Sequence, residues 1–260
     1  MKLLFFPVAL LAFTTLTAAA GDWPRFRGPN GTGVAADAKP PTTWSDTQNL
    51  KWKLPLPGPG SSSPIIVGDR VFVTCYTGYG DGSAGASPEK LARSILCVNR
   101  STGKVLWEKS TAAEVPEDPY SGFITEHGYA SSTPVCDGER VYVYYGKTGV
   151  LAFDLSGKEL WRVNVGKSSG NRRWGSAASL MLVGEKLIVN SSEESRSIRA
   201  LDRKTGKELW KADADSLELS YGTPASRRRL SKVPCRSCDP ARGWSDFPRR
   251  NSRSIFHPPA

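Results

Sequence analysis

The stretch SRSIRALDRKTGKELW, residues 195–210, joins a strand-like run to an Asp, a glycine turn and a Trp, and it recurs along the chain. Shorter copies of its second half are NRSTGKVLW at 99–107 and DLSGKELW at 154–161. A second motif precedes each copy: SSPIIVGDRVFV at 62–73, STPVCDGERVYV at 132–143 and the weaker ASLMLVGEKLIV at 178–189. Three units in the same order indicate an internal repeat, and a repeat decides the fold class before any single motif does.

Each unit predicts four short antiparallel strands. In the first motif a glycine separates two β-branched or aromatic runs, as at a hairpin turn that needs a positive φ; these are Gly68, Gly138 and Gly184. In the second motif a strand leads into a residue whose short polar side chain can bond the backbone two residues on: Asn99, Asp154 and Asp202. A glycine then closes the turn, at Gly103, Gly157 and Gly206. A Trp follows each of these glycines on the fourth strand.

Four-stranded units with one large aromatic per copy are typical of β-propeller blades, whose sheets bury their faces against each other. We therefore predict an all-β chain with propeller repeats over residues 50–225. About three blades are complete, at residues 62–110, 131–166 and 176–213, and a further blade starts near 221. Trp52 is assigned to the last strand of an earlier, incomplete blade. The series Trp52, Trp107, Trp161 and Trp210 is expected to pack between adjacent sheets, with a cofactor stack as the less favoured alternative.

Three features resemble a known family: the TGKxxW ending with its upstream Asp, the SSxP opening of the first strand, and GDWPRFRGPNGTG at 21–33. The chain resembles the pyrroloquinoline-quinone-like (PQQ-like) β-propeller repeat family over about residues 21–225. Within that family it is similar to exported proteins that are like the outer-membrane assembly factor BamB. EHGYASSTP at 126–134 and the stretch at 195–210 are the most specific parts of the likeness. The resemblance implies a propeller that presents loops or blade edges to protein partners.

The N-terminus predicts export. MKLLFFPVALLAFTTLTAAA, residues 1–20, has a positive Lys2, an apolar body and small residues at a cleavage site, as a signal peptide does. A retained anchor would need a longer apolar run, and no later segment is apolar enough to span a bilayer. The mature chain is therefore expected to start at Gly21, in the periplasm or otherwise outside the cytoplasm. Residues 21–49 are expected to form an extended segment before the repeats.

The net charge of +10 is concentrated in the last residues. Residues 226–260 hold nine Lys and Arg against two Asp, so only +3 belongs to the remainder, and a nucleic-acid surface is not expected there. This tail lacks strand alternation and blade motifs. We hypothesise that it is a frameshift product, with a genuine basic extension as the alternative. Its CRSC at 235–238 would need a supporting fold to act as a redox pair or half a metal site.

From the sequence we assign no catalytic residue and no metal ligand. The resemblance implies that quinone enzymes of the superfamily use a Trp platform, an acidic calcium site and often adjacent cysteines, but this chain has no adjacent cysteine pair and no matching acidic cluster. Cys75 and Cys97 either pair with each other or stay as buried free thiols. His127 is expected to have a structural or surface role. Arg172 and Arg173 lie in a loop that is expected to be solvated, although they could meet an anionic ligand.

These observations favour an exported, non-enzymatic scaffold or protein-binding module with no cofactor, and envelope or outer-membrane assembly is the process we expect it to serve. The alternative is a fragment of a PQQ-dependent alcohol or sugar dehydrogenase, which would need PQQ with calcium. Three blades cannot close a ring, since propellers have four to eight. The last sheet would expose an apolar face and a free edge, so we expect either a longer product or self-association.

Overall fold

A computed structural model describes residues 21–225 of the chain except 37, 114–115, 214 and 218–219. The first sheet contains β1 (Ile65–Val67), β2 (Arg70–Thr77), β3 (Ala92–Asn99) and β4 (Val105–Ala112). The second contains β5 (Val135–Cys136), β6 (Arg140–Tyr144), β7 (Val150–Asp154) and β8 (Glu159–Val163). The third contains β9 (Met181–Val183), β10 (Lys186–Ser191), β11 (Ser197–Asp202) and β12 (Glu208–Asp213). Two short helices are α1 (Ile124–His127) and α2 (Ser192–Ser195), and three 3₁₀ turns are Pro88–Lys90, Gly146–Thr148 and Asp215–Leu217.

All three sheets share one topology. Each has four antiparallel strands that pair in chain order, as the prediction of blade-like sheets required. The pairing of the third strand with the fourth shifts register at the same place in every sheet: after Cys97, after Ala152 and after Ala200. A bulge at this point bends the last strand and increases its twist. The repeat seen in the sequence is therefore repeated in backbone geometry, and the predicted fold class of four-stranded propeller blades is confirmed.

The second sheet is buried on both faces. Val141, Leu151 and Phe153 pack towards the first sheet, in one core with Phe72 and Ile95. On the opposite face, the alternating positions of the same strands meet the third sheet: Tyr142, Val150 and Ala152 pack with Leu187, Val189 and Leu201. Two successive cores of this kind stack the sheets face to face, because each strand alternates its side chains between them.

Hydroxyl groups link the first strands of consecutive sheets. The backbone N–H of Ser63 donates to Thr133 Oγ1 over 3.0 Å, and the N–H of Thr133 donates to Ser179 Oγ over 3.0 Å. The N–H of Ser179 donates in turn to Thr223 Oγ1 over 3.1 Å. A Ser or Thr hydroxyl just before the first strand of one repeat therefore accepts a backbone N–H of the preceding repeat, and Thr223 occupies the position that Ser179 has one sheet earlier.

The N-terminal segment crosses these edges. Trp23 pairs with Ile66 in a two-way bridge of 2.8 and 3.0 Å, and the carbonyl of Pro24 accepts from the N–H of Cys136 over 2.9 Å. The segment therefore covers the exposed edges of β1 and β5, where unpaired backbone groups would otherwise face solvent. No helix among the described residues is long and apolar enough to cross a membrane. The predicted signal peptide and the tail with CRSC lie outside the described residues.

The cysteines of the first sheet do not pair. Cys97 lies opposite Phe72, whereas Cys75 is three residues further along β2. An offset of three residues is about 10 Å along a strand and places the two thiols on opposite faces of the sheet. Cys75, Cys97 and Cys136 are all buried and free. Of the two alternatives, buried free thiols are correct and a Cys75–Cys97 disulfide is wrong. Burial raises the pKa of Cys97 to about 11, so this thiol is unreactive at neutral pH.

Candidate functional site

The predicted Trp series joins each sheet to the next. The indole N–H groups donate to carbonyls in the final turn of the following sheet, from Trp52 to Arg100 (2.8 Å), from Trp107 to Leu155 (3.0 Å) and from Trp161 to Arg203 (3.2 Å). Residues 51–56 form no strand, yet Trp52 docks as the others do. Trp210 on β12 is 42% exposed, and the described residues contain no later sheet to receive it. The Trp residues therefore act as connectors between sheets.

The turn that receives each Trp is shaped by the predicted Asx and glycine positions. One side-chain oxygen of Asn99, Asp154 or Asp202 accepts two backbone N–H bonds from its own turn, at 2.8–3.0 Å. The pKa values of Asp154 and Asp202 are lowered, mainly by hydrogen bonds from the hydroxyls of Ser156 and Thr205 and to a smaller extent by the backbone N–H groups. Both carboxyls are therefore ionised at neutral pH. A Cβ atom on Gly103, Gly157 or Gly206 would lie 2.7–2.8 Å from the docked indole. These positions carry structure rather than chemistry.

A cluster of charged residues is buried where the loops of all three sheets converge. In an antiparallel sheet the connection between the second and third strands leaves from the same end as the connection to the next sheet. This end, which we call the upper face, gathers Arg93 of β3, Glu117 and Asp118 from the segment after β4, Lys147 from the β6–β7 turn and Glu194 from α2. These residues line a cavity of about 20 Å³. A cavity of this size holds about one water molecule.

Two ion pairs neutralise most of this cluster. Arg93 Nη2 lies 2.8 Å from Glu117 Oε1, and Lys147 Nζ lies 3.1 Å from Asp118 Oδ1. Each of these four side chains is less than 10% exposed. Arg93 also donates to the carbonyl of Tyr129 over 2.7 Å, and the Tyr129 hydroxyl donates to the carbonyl of Asp118 over 2.7 Å. Removal of one partner from such a pair leaves an uncompensated buried charge, which costs about 3–5 kcal/mol. The pairs therefore hold the segment after β4 against the sheets.

Two adjacent glutamates of α2 complete the cluster. Glu194 accepts hydrogen bonds from the hydroxyls of Tyr144 and Ser176, and Glu193 accepts the N–H of Gly170 over 3.1 Å. Burial raises the pKa of Glu194 to about 7, against a partly opposing hydrogen bond from Tyr144 and with a further rise caused by the charge of Glu193. Glu194 therefore exchanges its proton near neutral pH, inside a closed environment.

His127 lies beside the cluster and uses both ring nitrogens. Nδ1 is 2.6 Å from Ser131 Oγ, and Nε2 is 2.8 Å from the carbonyl oxygen of Trp174. A carbonyl can only accept, so Nε2 carries a proton. The imidazole thus ties α1 to the loop between β8 and β9, and this contact agrees with the structural role expected for it.

An aromatic and cationic patch lies on the upper face near His127. The ring of Trp174 contacts Phe123 at a centroid distance of 4.9 Å and stacks on Tyr221 at 5.7 Å. The guanidinium of Arg172 lies over Trp174 at 4.8 Å, and the adjacent Arg173 has no ion pair in the described residues. Phe123 is 53% exposed. We define this patch by Phe123, Arg172, Arg173, Trp174 and Tyr221. Surfaces that bind proteins are enriched in such aromatic and Arg side chains.

The sequence singled out Arg172, Arg173 and His127 but not the buried ion pairs or the α2 glutamates. Arg93 and Glu194 are 101 positions apart in the chain, and no motif joins them. One signal was present: SSEES at 191–195 places two glutamates directly after an apolar strand, where solvent exposure is not assured. Only the convergence of loops from three sheets shows that these charges share one environment.

The described residues do not fit a quinone with calcium. Among residues 21–225, with the gaps given above, no group of three or more His, Cys, Asp or Glu side chains is arranged to hold a metal ion. The acids of the upper face are already engaged by Arg, Lys, hydroxyl or backbone groups, and their cavity of about 20 Å³ is far below the several hundred Å³ of cofactor pockets.

Comparison with known families identifies the repeats. The family model described as outer membrane protein assembly factor BamB matches residues 89–222, just over half of the chain. A curated relative, the polyvinylalcohol dehydrogenase of a Pseudomonas species, is 24% identical over 233 residues. That alignment covers 82% of this chain and 32% of the relative. The chain thus spans about a third of the length of this curated relative.

Solved propeller proteins also align with part of this chain. BamB from Moraxella catarrhalis is 18% identical, with a TM-score of 0.45, and the match covers 66% of this chain and 45% of that one. The quinohemoprotein alcohol dehydrogenase from Comamonas testosteroni is 17% identical, with a TM-score of 0.49, and the match covers 75% of this chain and 28% of that one.

Proposed function

This chain belongs to the outer membrane protein assembly factor BamB family of PQQ-like repeats, and we propose that it is an exported, non-catalytic module that binds other proteins. The observation that carries the proposal is the patch of Phe123, Arg172, Arg173, Trp174 and Tyr221, in which Phe123 and the two Arg residues are exposed and the other two rings are half-buried. Beneath the upper face the charges of Arg93 and Glu117, and of Lys147 and Asp118, are already paired with one another. On the upper face, the exposed side chains of Phe123, Arg172 and Arg173 offer groups for a new contact.

The patch suits a protein partner for two physical reasons. Stacked rings present a rigid apolar area that loses little conformational entropy on binding. Arg172 and Arg173 add positive charge beside it, which favours a partner segment with acidic residues and speeds the encounter. The signal peptide predicted at residues 1–20 supports placement in the periplasm or another exported compartment, where envelope assembly takes place.

Site-specific photocrosslinking tests this proposal. A photoreactive phenylalanine analogue at Phe123 should give a discrete adduct in the envelope of the native host. The same analogue at Val105, which is 43% exposed on β4, serves as a control that is expected to give none. Charge reversal by Arg173→Glu should reduce the Phe123 adduct, and the purified adduct partner should bind the wild-type chain with a measurable Kd. Equal adducts at both positions, insensitive to Arg173→Glu, would refute a specific surface.

In a second candidate function, the chain is part of a quinone-dependent alcohol dehydrogenase. The likeness to the polyvinylalcohol dehydrogenase over 233 residues favours this function. Under this proposal the quinone site would depend on residues other than those described. Purified protein incubated with PQQ and calcium separates the two candidates. A stoichiometric quinone absorption band together with alcohol-dependent dye reduction would exclude the non-catalytic proposal.

A further inference from the structure

The loop of residues 22–33 is held in one shape by its own residues. The Arg25 guanidinium donates from Nε to the carbonyl of Gly28 over 3.0 Å and from a terminal nitrogen to the carbonyl of Pro29 over 2.9 Å. The N–H of Gly33 closes the loop on the carbonyl of Arg27 over 2.9 Å. Trp23 packs under Gly28, where a Cβ atom would lie 2.7 Å from the ring. This loop is therefore organised before any ligand arrives, which lowers the entropic cost of binding.

Arg27 is the strained residue of this loop. Its φ is +62°, in the left-handed region that costs an L-residue about 1–2 kcal/mol. A glycine would suit this backbone better, and glycines do occupy the left-handed positions at 28, 31 and 33. The Arg27 side chain is exposed, and its guanidinium makes no ion pair or hydrogen bond with the described residues. Strain of this kind persists only where the surrounding structure imposes it, as the hydrogen bonds of this loop do, and it is concentrated at sites that bind ligands.

Arg27 lines a cavity of about 320 Å³ between this loop, the start of β9 and residues 222–225. That volume equals roughly ten water molecules of the liquid. Its polar wall contains Arg25, Arg27 and Asn30, and its apolar wall contains Phe26, Leu180, Met181 and Pro224. No Asp or Glu is among the described lining residues. The cavity therefore combines two positive charges with an apolar surface.

We propose that this cavity binds a carboxylate that is attached to an apolar group. The carboxylate would lie against the Arg27 guanidinium, which can donate two parallel hydrogen bonds to it, and the apolar group would lie against Phe26 and Met181. A ligand charged along its whole length would leave the apolar wall unmatched. A neutral ligand would leave the guanidinium without a partner.

Two sources can supply this chemistry: a free aromatic or branched organic acid, and the C-terminal carboxylate of a peptide that ends in an apolar residue. The site uses residues of the N-terminal loop, residues 180–181 at the start of β9 and residues 222–225, none of which belongs to the patch of the proposed function. The proposed carboxylate site therefore does not depend on the proposed function, and a negative result for one leaves the other untouched.

Isothermal titration calorimetry on the full chain tests the site with phenylacetate and its neutral isostere phenylacetamide. We expect phenylacetate to bind once per chain and phenylacetamide to bind at least about tenfold more weakly, because a charge-assisted hydrogen bond is lost. Arg27→Gln should weaken phenylacetate by a similar factor, and it should fold normally since Arg27 gives the loop only its main-chain carbonyl. Arg196→Gln is the matched control, because Arg196 is also exposed and left-handed, with a φ of +49°, and lies outside both this cavity and the patch.

The peptide Gly-Gly-Phe identifies the source of the carboxylate. Tighter binding of this peptide than of phenylacetate assigns the site to protein C-termini, and the reverse order assigns it to free acids. Equal binding of phenylacetate and phenylacetamide, equal loss in Arg27→Gln and Arg196→Gln, or no binding of phenylacetate or the peptide would each overturn the proposal. The comparison of acid with amide uses the wild-type chain, so it does not depend on the folding of any variant.

Discussion

Glu194→Gln should make the protein more stable at pH 8 than the wild type. Glu194 is 3% exposed, and its carboxyl has a pKa of about 7 in the folded chain, chiefly because burial disfavours the charged form. Its ordinary value is 4.5. Glutamine has the shape of the protonated acid and never ionises, so it keeps the form that the folded protein prefers.

The magnitude follows from the two pKa values. Between pH 4.5 and about 7 the folded chain holds a proton that the unfolded chain has released, so the free energy of unfolding falls as the pH rises. The stability that the folded chain gains by holding this proton is fully present below pH 4.5 and is lost by about pH 7. At 1.36 kcal/mol per pH unit, the interval corresponds to about 3 kcal/mol.

Urea unfolding at pH 4.5 and pH 8 measures this effect. The difference in free energy of unfolding between Glu194→Gln and wild type should be about 3 kcal/mol larger at pH 8 than at pH 4.5. Glu126→Gln, at an exposed position of α1, is the control and should show no such change. A difference that is the same at both pH values would show that Glu194 titrates normally and that its burial costs little.

Further predictions concern the sheet contacts and the thiols. Trp107→Ala should lower the free energy of unfolding in urea by about 3–5 kcal/mol, because it removes the side chain that packs between two sheets. Trp210 is 42% exposed, so Trp210→Ala should lower it by less than about 1 kcal/mol. Equal losses in the two variants would contradict the conclusion that Trp107, but not Trp210, connects two sheets. Gly157→Ala adds a methyl group on a left-handed backbone 2.8 Å from the Trp107 ring and should cost at least about 1–2 kcal/mol in the same assay, while Gly222→Ala, with no atom within 4 Å, should cost much less. With both CRSC cysteines changed to Ser, a thiol reagent should label no site in the native chain and three in denaturant; one labelled site would reveal a disulfide.

Much of the fold was accessible from the sequence because it is encoded over short distances. The turn glycines Gly103 and Gly157 and the caps Asp154 and Asp202 act on neighbouring residues, so their spacing alone predicts four antiparallel strands per unit. The role of the Trp residues in packing between sheets could also be anticipated, since a large apolar ring that recurs once per sheet needs a neighbouring surface.

Other features depended on registers and contacts that no local pattern specifies. The pairing of Cys75 with Cys97 stayed open because the long β2–β3 connection hides the strand register, and only the register shows that the thiols face opposite sides. The left-handed backbone of Arg27 is equally invisible, because its neighbours impose it through hydrogen bonds.

The sequence by itself determined the repeating sheets, the Asx and glycine turns and the order of the Trp connectors, because backbone preference and alternating hydrophobicity act between near neighbours. The tertiary structure alone decided which charges meet. Arg93, Glu117, Lys147 and Glu194 come from four separate segments, and they form one buried cluster because the stacked sheets bring the loops of one end together. Burial then removes water from these groups, which pairs Arg93 with Glu117 and moves the pKa of Glu194 to about 7.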